Sequence, residues 1–166
     1  MTAIVIRQEQ PGDEQAIYDL TEQAFRTMPF SEGDEQDLIN ALRADGELAL
    51  SLVAETASQI VGHIAFSPVT ISDGNTDWYD LGPVSVDPAL QRRQIGSRLI
   101  RHGIAEMRQR GARGIVLLGN PDFYGRFGFA ADPALQYPGP PAQYFQRLVM
   151  EGPPPTGIVT YPRAFG

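Results

Sequence analysis

Val84-Ser-Val-Asp-Pro-Ala-Leu-Gln-Arg-Arg-Gln-Ile-Gly-Ser-Arg-Leu-Ile100 decides how the rest of the chain is read. Residues 84–86 form an extended apolar segment and 87–90 a turn. From Ile95 an amphipathic helix begins, entered through a basic loop that contains Gly96. A strand that delivers backbone N–H groups to a helix entrance is suited to an anion. The orphan donors of the first turn and the positive end of the helix dipole converge on one spot. Residues 91–97 are therefore a candidate phosphate site.

Downstream of the loop, Ile95, Leu99, Ile100, Ile104 and Met107 share one face of a helix that runs to about Arg110 and stops at Gly111. Ile115-Val-Leu-Leu118 is continuously apolar, as in the middle of a sheet. Strand, helix and strand imply a right-handed crossover between two parallel strands. The upstream strand, Trp78 to Val86, is interrupted by Gly82-Pro83, and a proline cannot donate to a sheet ladder. That strand is expected to bulge or open there.

Leu48 to Glu55 and Ile60 to Ser67 read as an antiparallel hairpin about residues 56–59, the second strand continuing through Val69 and Ile71. Asp73-Gly74-Asn75 is a turn. Before the hairpin come a strand, Ile4 to Gln8, and a helix opened by Pro11-Gly-Asp13 with Ile17, Leu20, Ala24 and Phe25 on one face. A second helix is predicted with Ser31 as N-cap, Asp34 and Glu35 in its first turn, Leu38, Ile39 and Leu42 inward, and Asp45-Gly46 at its end. Past Leu118, residues 119–129 read as a short helix and turn, and residues 133–141 as a Pro-rich loop. Tyr144 to Met150 and Gly157 to Tyr161 read as a closing pair of strands. Without a repeat or a boundary, residues 1–166 form a single α/β domain. It has a central mixed sheet of about seven strands, helices on both sides, and strands 4 and 5 parallel and splayed.

With 42% hydrophobic residues in 166, one core is affordable. The chain has no Cys, which removes disulfides, thiolate metal sites and a Cys nucleophile. His63 and His102 are too few and too isolated for a metal cluster, so no metal is expected. No stretch reads as a leader or a membrane span, and a cytoplasmic protein is expected without a membrane partner. The net charge of −7 argues against nucleic acid. All thirteen basic residues are Arg, and seven fall between Arg92 and Arg113 with Glu106 the sole acid among them. One basic segment in an acidic chain points to a local anionic ligand. Arg92, Arg93, Arg98 and Arg101 are assigned to that ligand, and Arg108, Arg110 and Arg113 to a solvated helix face.

Two motifs carry a resemblance. Gln91-Arg-Arg-Gln-Ile-Gly96, after Val86-Asp-Pro88, is similar to the acyl-CoA pyrophosphate loop of the GNAT N-acetyltransferases. Tyr124-Gly-Arg-Phe-Gly-Phe129 resembles that family's Tyr-x-x-x-Gly-Phe segment. Their order and the element order agree, and residues 63–68, 81–86 and 157–161 look like the YhbS-like branch. The resemblance implies the GNAT acyl-CoA N-acyltransferase fold with acetyl-CoA as cosubstrate. It also implies a primary amine of a small molecule or peptide as acceptor, and direct attack in a ternary complex by a monomer or homodimer. The competing class is a non-catalytic acyl-CoA-binding or sensing module, and a larger acyl group is a third reading.

On this reading, main-chain N–H groups of Arg92, Arg93, Gln94, Ile95, Gly96 and Ser97, with Gln91, hold the pyrophosphate. The backbone of Val84, Ser85 and Val86 pairs with pantetheine as an added strand. The alternative for Gly96 is close helix–sheet packing. Gln94 departs from the pattern, which has Gly there. It either crowds the phosphates or points to solvent on a helical backbone, and weaker affinity is expected rather than lost binding. Tyr124 is the candidate general acid toward the leaving thiolate, against a packing role beneath the cofactor. Asn120 either bonds pantetheine or caps the short helix. Phe123, Phe127 and Phe129 are core or pocket wall, and Phe66 with Phe127 are candidates to close the acyl pocket. The base is not singled out: Asp80, Glu32, Glu35 and His63 are candidates, with His63 better suited to the core, and a water chain can replace them all.

Overall fold

A computed structural model describes residues 3–29 and 31–166. The elements are β1 (Val5–Gln8), α1 (Glu14–Phe25), α2 (Glu35–Ala44), β2 (Leu50–Thr56), β3 (Gln59–Ile71), β4 (Trp78–Val86), α3 (Ile95–Gln109), β5 (Gly114–Leu118), α4 (Pro121–Tyr124), β6 (Leu135–Gln136), β7 (Phe145–Val149) and β8 (Gly157–Thr160). The main sheet runs β1-β2-β3-β4-β5-β7, with β8 on the far end of β3 and β6 beside β8.

The β2–β3 hairpin closes through Ala57 and Ser58, both at positive φ (50° and 64°). Two such residues give a turn whose twist matches the strands. In β3–β4 the register shifts: Ile64 faces Val84 but Phe66 faces Leu81, so Gly82 and Pro83 together lie opposite Ala65. This is the bulge expected from Gly82-Pro83. Parallel pairing of β4 with β5 covers only Trp78↔Gly114, Tyr79↔Ile115 and Asp80↔Val116. Beyond Asp80, β4 stays with β3 while β5 stays with β7, and the sheet opens between them.

Helices cover both faces. Ile95, Leu99, Ile100, Ile104 and Met107 of α3 pack on Leu52, Ile64, Phe66 and Ile115. Across the sheet Ile17 of α1 and Ile39 of α2 meet Val53. Burying each such aliphatic side chain contributes about 1.5–3 kcal/mol. A third cluster joins Trp78 and Val116 to Phe145 and Val159, fastening the C-terminal segments to the sheet.

Three expectations change. The last two strands do not pair with each other: β7 runs antiparallel to β5, while β8 crosses to β3 (Thr70↔Thr160). The Pro-rich stretch supplies β6, parallel to β8, so there are eight strands among the described residues. Period-2 patterning marks a strand but not its partner, which burial of Phe145 and Val159 decides here. Helix α2 starts only at Glu35, because Gly33 at φ 81° cannot join a right-handed helix. The Ser31 hydroxyl accepts from Gly33 N–H and donates to the Glu35 carboxylate (2.9 and 2.6 Å), so it caps nothing.

Candidate active site

The loop before α3 alternates its backbone hand. Arg92 and Gln94 both lie in the left-handed region, with φ 69° and 64°. Such alternation turns successive N–H groups toward one side, a concavity for an anion. The bond from Arg98 N–H to Gln94 C=O opens the helical ladder, leaving Ile95, Gly96 and Ser97 N–H ahead of it. Gln94 is thus not on a helical backbone. It holds a conformation glycine adopts freely, at about 1–2 kcal/mol for a residue with a Cβ, and its side chain is exposed. Gly96 is not at positive φ, and a Cβ there would meet Val86 at an ordinary 3.7 Å. Packing does not demand glycine at that position.

Gln91, Arg92 and Arg93 are exposed, Ser97 is half-buried, and Ile95 offers only its main chain because its side chain is in the core. Two of the four arginines assigned to the ligand are tied into the fold. Arg98 donates to Ile4 C=O (3.1 Å), and the Arg101 guanidinium lies 4.8 Å from the Phe127 ring centre. Among those assigned to solvent, Arg110 donates to Ala49 C=O.

Asp87 N–H donates to Val61 C=O, continuing the β3–β4 register. Main-chain direction alternates along a strand, so Ser85 also faces β3, while Val84 and Val86 face the opened side. The Ser85 side chain is buried, and its hydroxyl has no hydrogen-bond partner among the described residues.

A cavity of about 390 Å³ occupies the opening, and Val84, Leu118 and Tyr124 are among the residues that line it. Tyr124 is placed by Gly119: a Cβ on residue 119 would collide with its ring, so the ring folds back over the end of β5. Asn120 Oδ1 accepts from Asp122 N–H (2.9 Å), which is the capping alternative. Asp80, 4% exposed, lines the same cavity. Burial pushes its carboxyl up to about 7, against a downward pull from the Tyr161 hydroxyl. That hydroxyl lies beside the carboxyl without being aligned for a hydrogen bond. Burial, and then the Asp80 charge, push the Tyr124 phenol up to about 12, so it stays protonated at neutral pH.

The other candidate bases separate clearly. Glu35 lines the cavity, whereas Glu32 is exposed in the loop before α2 and does not. His63 is buried with Nε2 2.8 Å from the Ser51 hydroxyl, which donates to Glu9, itself held by Arg43. Burial drives the His63 pKa down to about 4, leaving a neutral ring in the core. Phe66 is fully buried under α3 and forms no pocket wall. Phe129 is core, and Phe123 and Phe127 pack edge-on with ring centres 5.5 Å apart.

Tyr137, Tyr161 and Phe165 were not expected here. Tyr137 and Tyr161 stack at 4.6 Å and 26°, and Phe165 meets Tyr161 edge-on at 5.0 Å. Their recurrence in an otherwise Pro- and Gly-rich tail was the available signal. Among the described residues no group of three or more His, Cys, Asp or Glu is placed to hold a metal ion, and no helix is long and apolar enough to cross a membrane.

A mixed sheet whose parallel pair parts at its carboxyl end, next to a helix entrance, is the framework of an acyl-CoA N-acyltransferase. Residues 14–129 match the acetyltransferase (GNAT) family, and the chain belongs to it. It is 33% identical over 127 residues to the uncharacterized N-acetyltransferase YhbS of Escherichia coli K12, covering 76% of this chain and 73% of that one. To YjhQ of the same strain it is 36% identical over 137 residues, covering 80% and 73%. Among solved structures, a GNAT family acetyltransferase from Brucella melitensis in complex with acetyl-CoA superposes with a TM-score of 0.89 at 47% identity, covering 99% of each chain. Escherichia coli YhbS in complex with CoA superposes at 0.90 with 30% identity, covering 99% of this chain and 93% of that one.

Proposed function

We propose that this chain is an acetyl-CoA-dependent N-acetyltransferase in which a primary amine attacks the thioester directly in a ternary complex. One observation carries the reading: a buried carboxyl with a pKa near neutrality shares a cavity with a protonated phenol, where β4 and β5 part beside the α3 entrance. The acetyl-CoA complex of the Brucella relative supports the cosubstrate.

The diphosphate rests on main-chain N–H groups of the loop from Gln91 to Ser97, and the pantetheine arm pairs with Val84 and Val86. Asp80 takes a proton from the incoming ammonium, and the free amine attacks the thioester carbonyl. The tetrahedral oxyanion is met by a strand N–H near Val84. As the C–S bond breaks, Tyr124 donates its proton to the departing sulfur. Protonation of Asp80 removes the charge that raises the Tyr124 pKa. The first proton transfer therefore makes the phenol a better acid for the second.

Tyr124→Phe tests the reading. Acetyl-CoA affinity, measured by calorimetry, should stay within about twofold, while amine-dependent CoA release falls by about 10²–10⁴. Tight acetyl-CoA binding with no CoA release from any amine would favour the binding-module alternative. No measurable affinity for either CoA or acetyl-CoA would remove both readings.

A further inference from the structure

We propose that the acceptor is a small amine with a flat apolar body and no anionic group, an arylalkylamine rather than an amino acid. The inference rests on the cavity at Asp80 being the acceptor site. That cavity is walled by Phe25, Met28 and Leu38 from α1, α2 and the segment between them, and by Tyr137, Tyr161 and Phe165 from the C-terminal part of the chain.

The charges on the wall are one-sided. Asp80 and Glu35 supply two carboxyls, and none of the thirteen arginines lines the cavity. An ammonium approaching Asp80 meets carboxyls, aromatic rings and aliphatic side chains, and no cation. The carboxylate of an α-amino acid, two bonds from its nitrogen, would be brought to Asp80 and Glu35 with no cation to receive it. Like charges brought together at a buried carboxyl such as Asp80 repel strongly. The same argument disfavours amines carrying a phosphate.

The shape asks for an apolar body. The stacked Tyr137–Tyr161 pair and the edge-on Phe165 present ring faces and edges suited to a flat group. About 390 Å³ is in the range that holds a small molecule of one or two rings. Met28 and Leu118, 42% and 40% exposed, are two of the five large exposed hydrophobics among the described residues, and both lie on this cavity. Apolar side chains left open around a concave site are covered by a ligand of the same kind.

Matched pairs test the proposal. Acetyl-CoA-dependent thiol release is measured with 2-phenylethylamine against phenylalanine, tyramine against tyrosine, and putrescine as an amine without an apolar body. The arylalkylamine should exceed its amino acid by at least about 100-fold in kcat/KM, and exceed putrescine as well. Met28→Arg, at an exposed position, should narrow the gap between 2-phenylethylamine and phenylalanine at least about tenfold by supplying the missing cation. Equal or better turnover of amino acids, putrescine or peptides would overturn the proposal. Calorimetry of both members of a pair on the CoA-loaded protein separates the two readings. A preference for 2-phenylethylamine in binding without CoA release from acetyl-CoA upholds the specificity and sinks the transferase. The absence of both binding and turnover of the arylalkylamines sinks the specificity.

Discussion

The Asp80 carboxyl and the Tyr161 hydroxyl lie side by side in the cavity and act on each other in opposite senses. The hydroxyl pulls the carboxyl pKa down, and the carboxylate, after burial, pushes the phenol's up. Asp80 comes from the last paired position of β4 against β5, and Tyr161 from just beyond β8. Burial outweighs the hydroxyl at Asp80, which holds the carboxyl at about 7.

In the proposed mechanism Asp80 is the base and must be ionised to work. With an amine whose own titration lies well above the range studied, kcat/KM is expected to rise with pH through a midpoint near 7. Tyr161→Phe removes the group that lowers the Asp80 pKa, so the midpoint should move upward. A pH–rate profile of both proteins checks this, and an unmoved or lowered midpoint contradicts it.

Asp80 also carries a cost to stability. Its folded pKa, about 7, lies above the ordinary carboxylate value of 3.8. The neutral form is therefore favoured on folding, and stability is fully present below pH 4. It is lost as pH rises from about 4 to about 7, by at most about 4 kcal/mol at about 1.4 kcal/mol per pH unit. Asp80→Asn should abolish most turnover, raise Tm at pH 8, and change it little at pH 4. Thermal unfolding of the two proteins at both pH values reads this directly, and equal Tm differences would count against it.

Two glycines of α3 should respond differently to alanine. A Cβ on Gly96 has room within the protein, so Gly96→Ala should leave Tm unchanged or slightly higher. Its CoA affinity should fall by about tenfold, or about 1.4 kcal/mol. A Cβ on Gly103 would lie 2.5 Å from the Phe66 ring, and Gly103→Ala should cost about 1–3 kcal/mol while sparing affinity. Chemical denaturation and calorimetry on both variants separate the roles. A loss of stability at Gly96 with affinity intact would make it a packing glycine instead.

Most elements were legible because their signals are local. The face of α3, the Asp73-Gly74-Asn75 turn and the break at Gly82-Pro83 are set by period, turn chemistry and a missing donor within a few residues. Helix α2 starts later than Ser31 suggests, because Ser31 is a good cap by type whereas the left-handed Gly33 excludes it by conformation. The partners of β7 and β8, which are β5 and β3 rather than each other, are not legible in the sequence because pairing in a sheet is non-local. Tyr124 and Asp80 could be named from motif and position. The sequence offered no reason to prefer Asp80 over Glu32, since both are carboxylates and only burial distinguishes them.

By itself, the sequence determined a strand–loop–helix entrance at residues 84–100 and a parallel pair broken by a proline, because hydrogen-bonding capacity and side-chain period are properties of neighbouring residues. Only the tertiary structure decided what that break contains. It brings a C-terminal aromatic wall against Asp80, removes His63 and Phe66 to the core, and keeps Glu32 outside. A carboxyl acquires a pKa near 7 only when distant segments close water out around it, and that closure has no local signature in the chain.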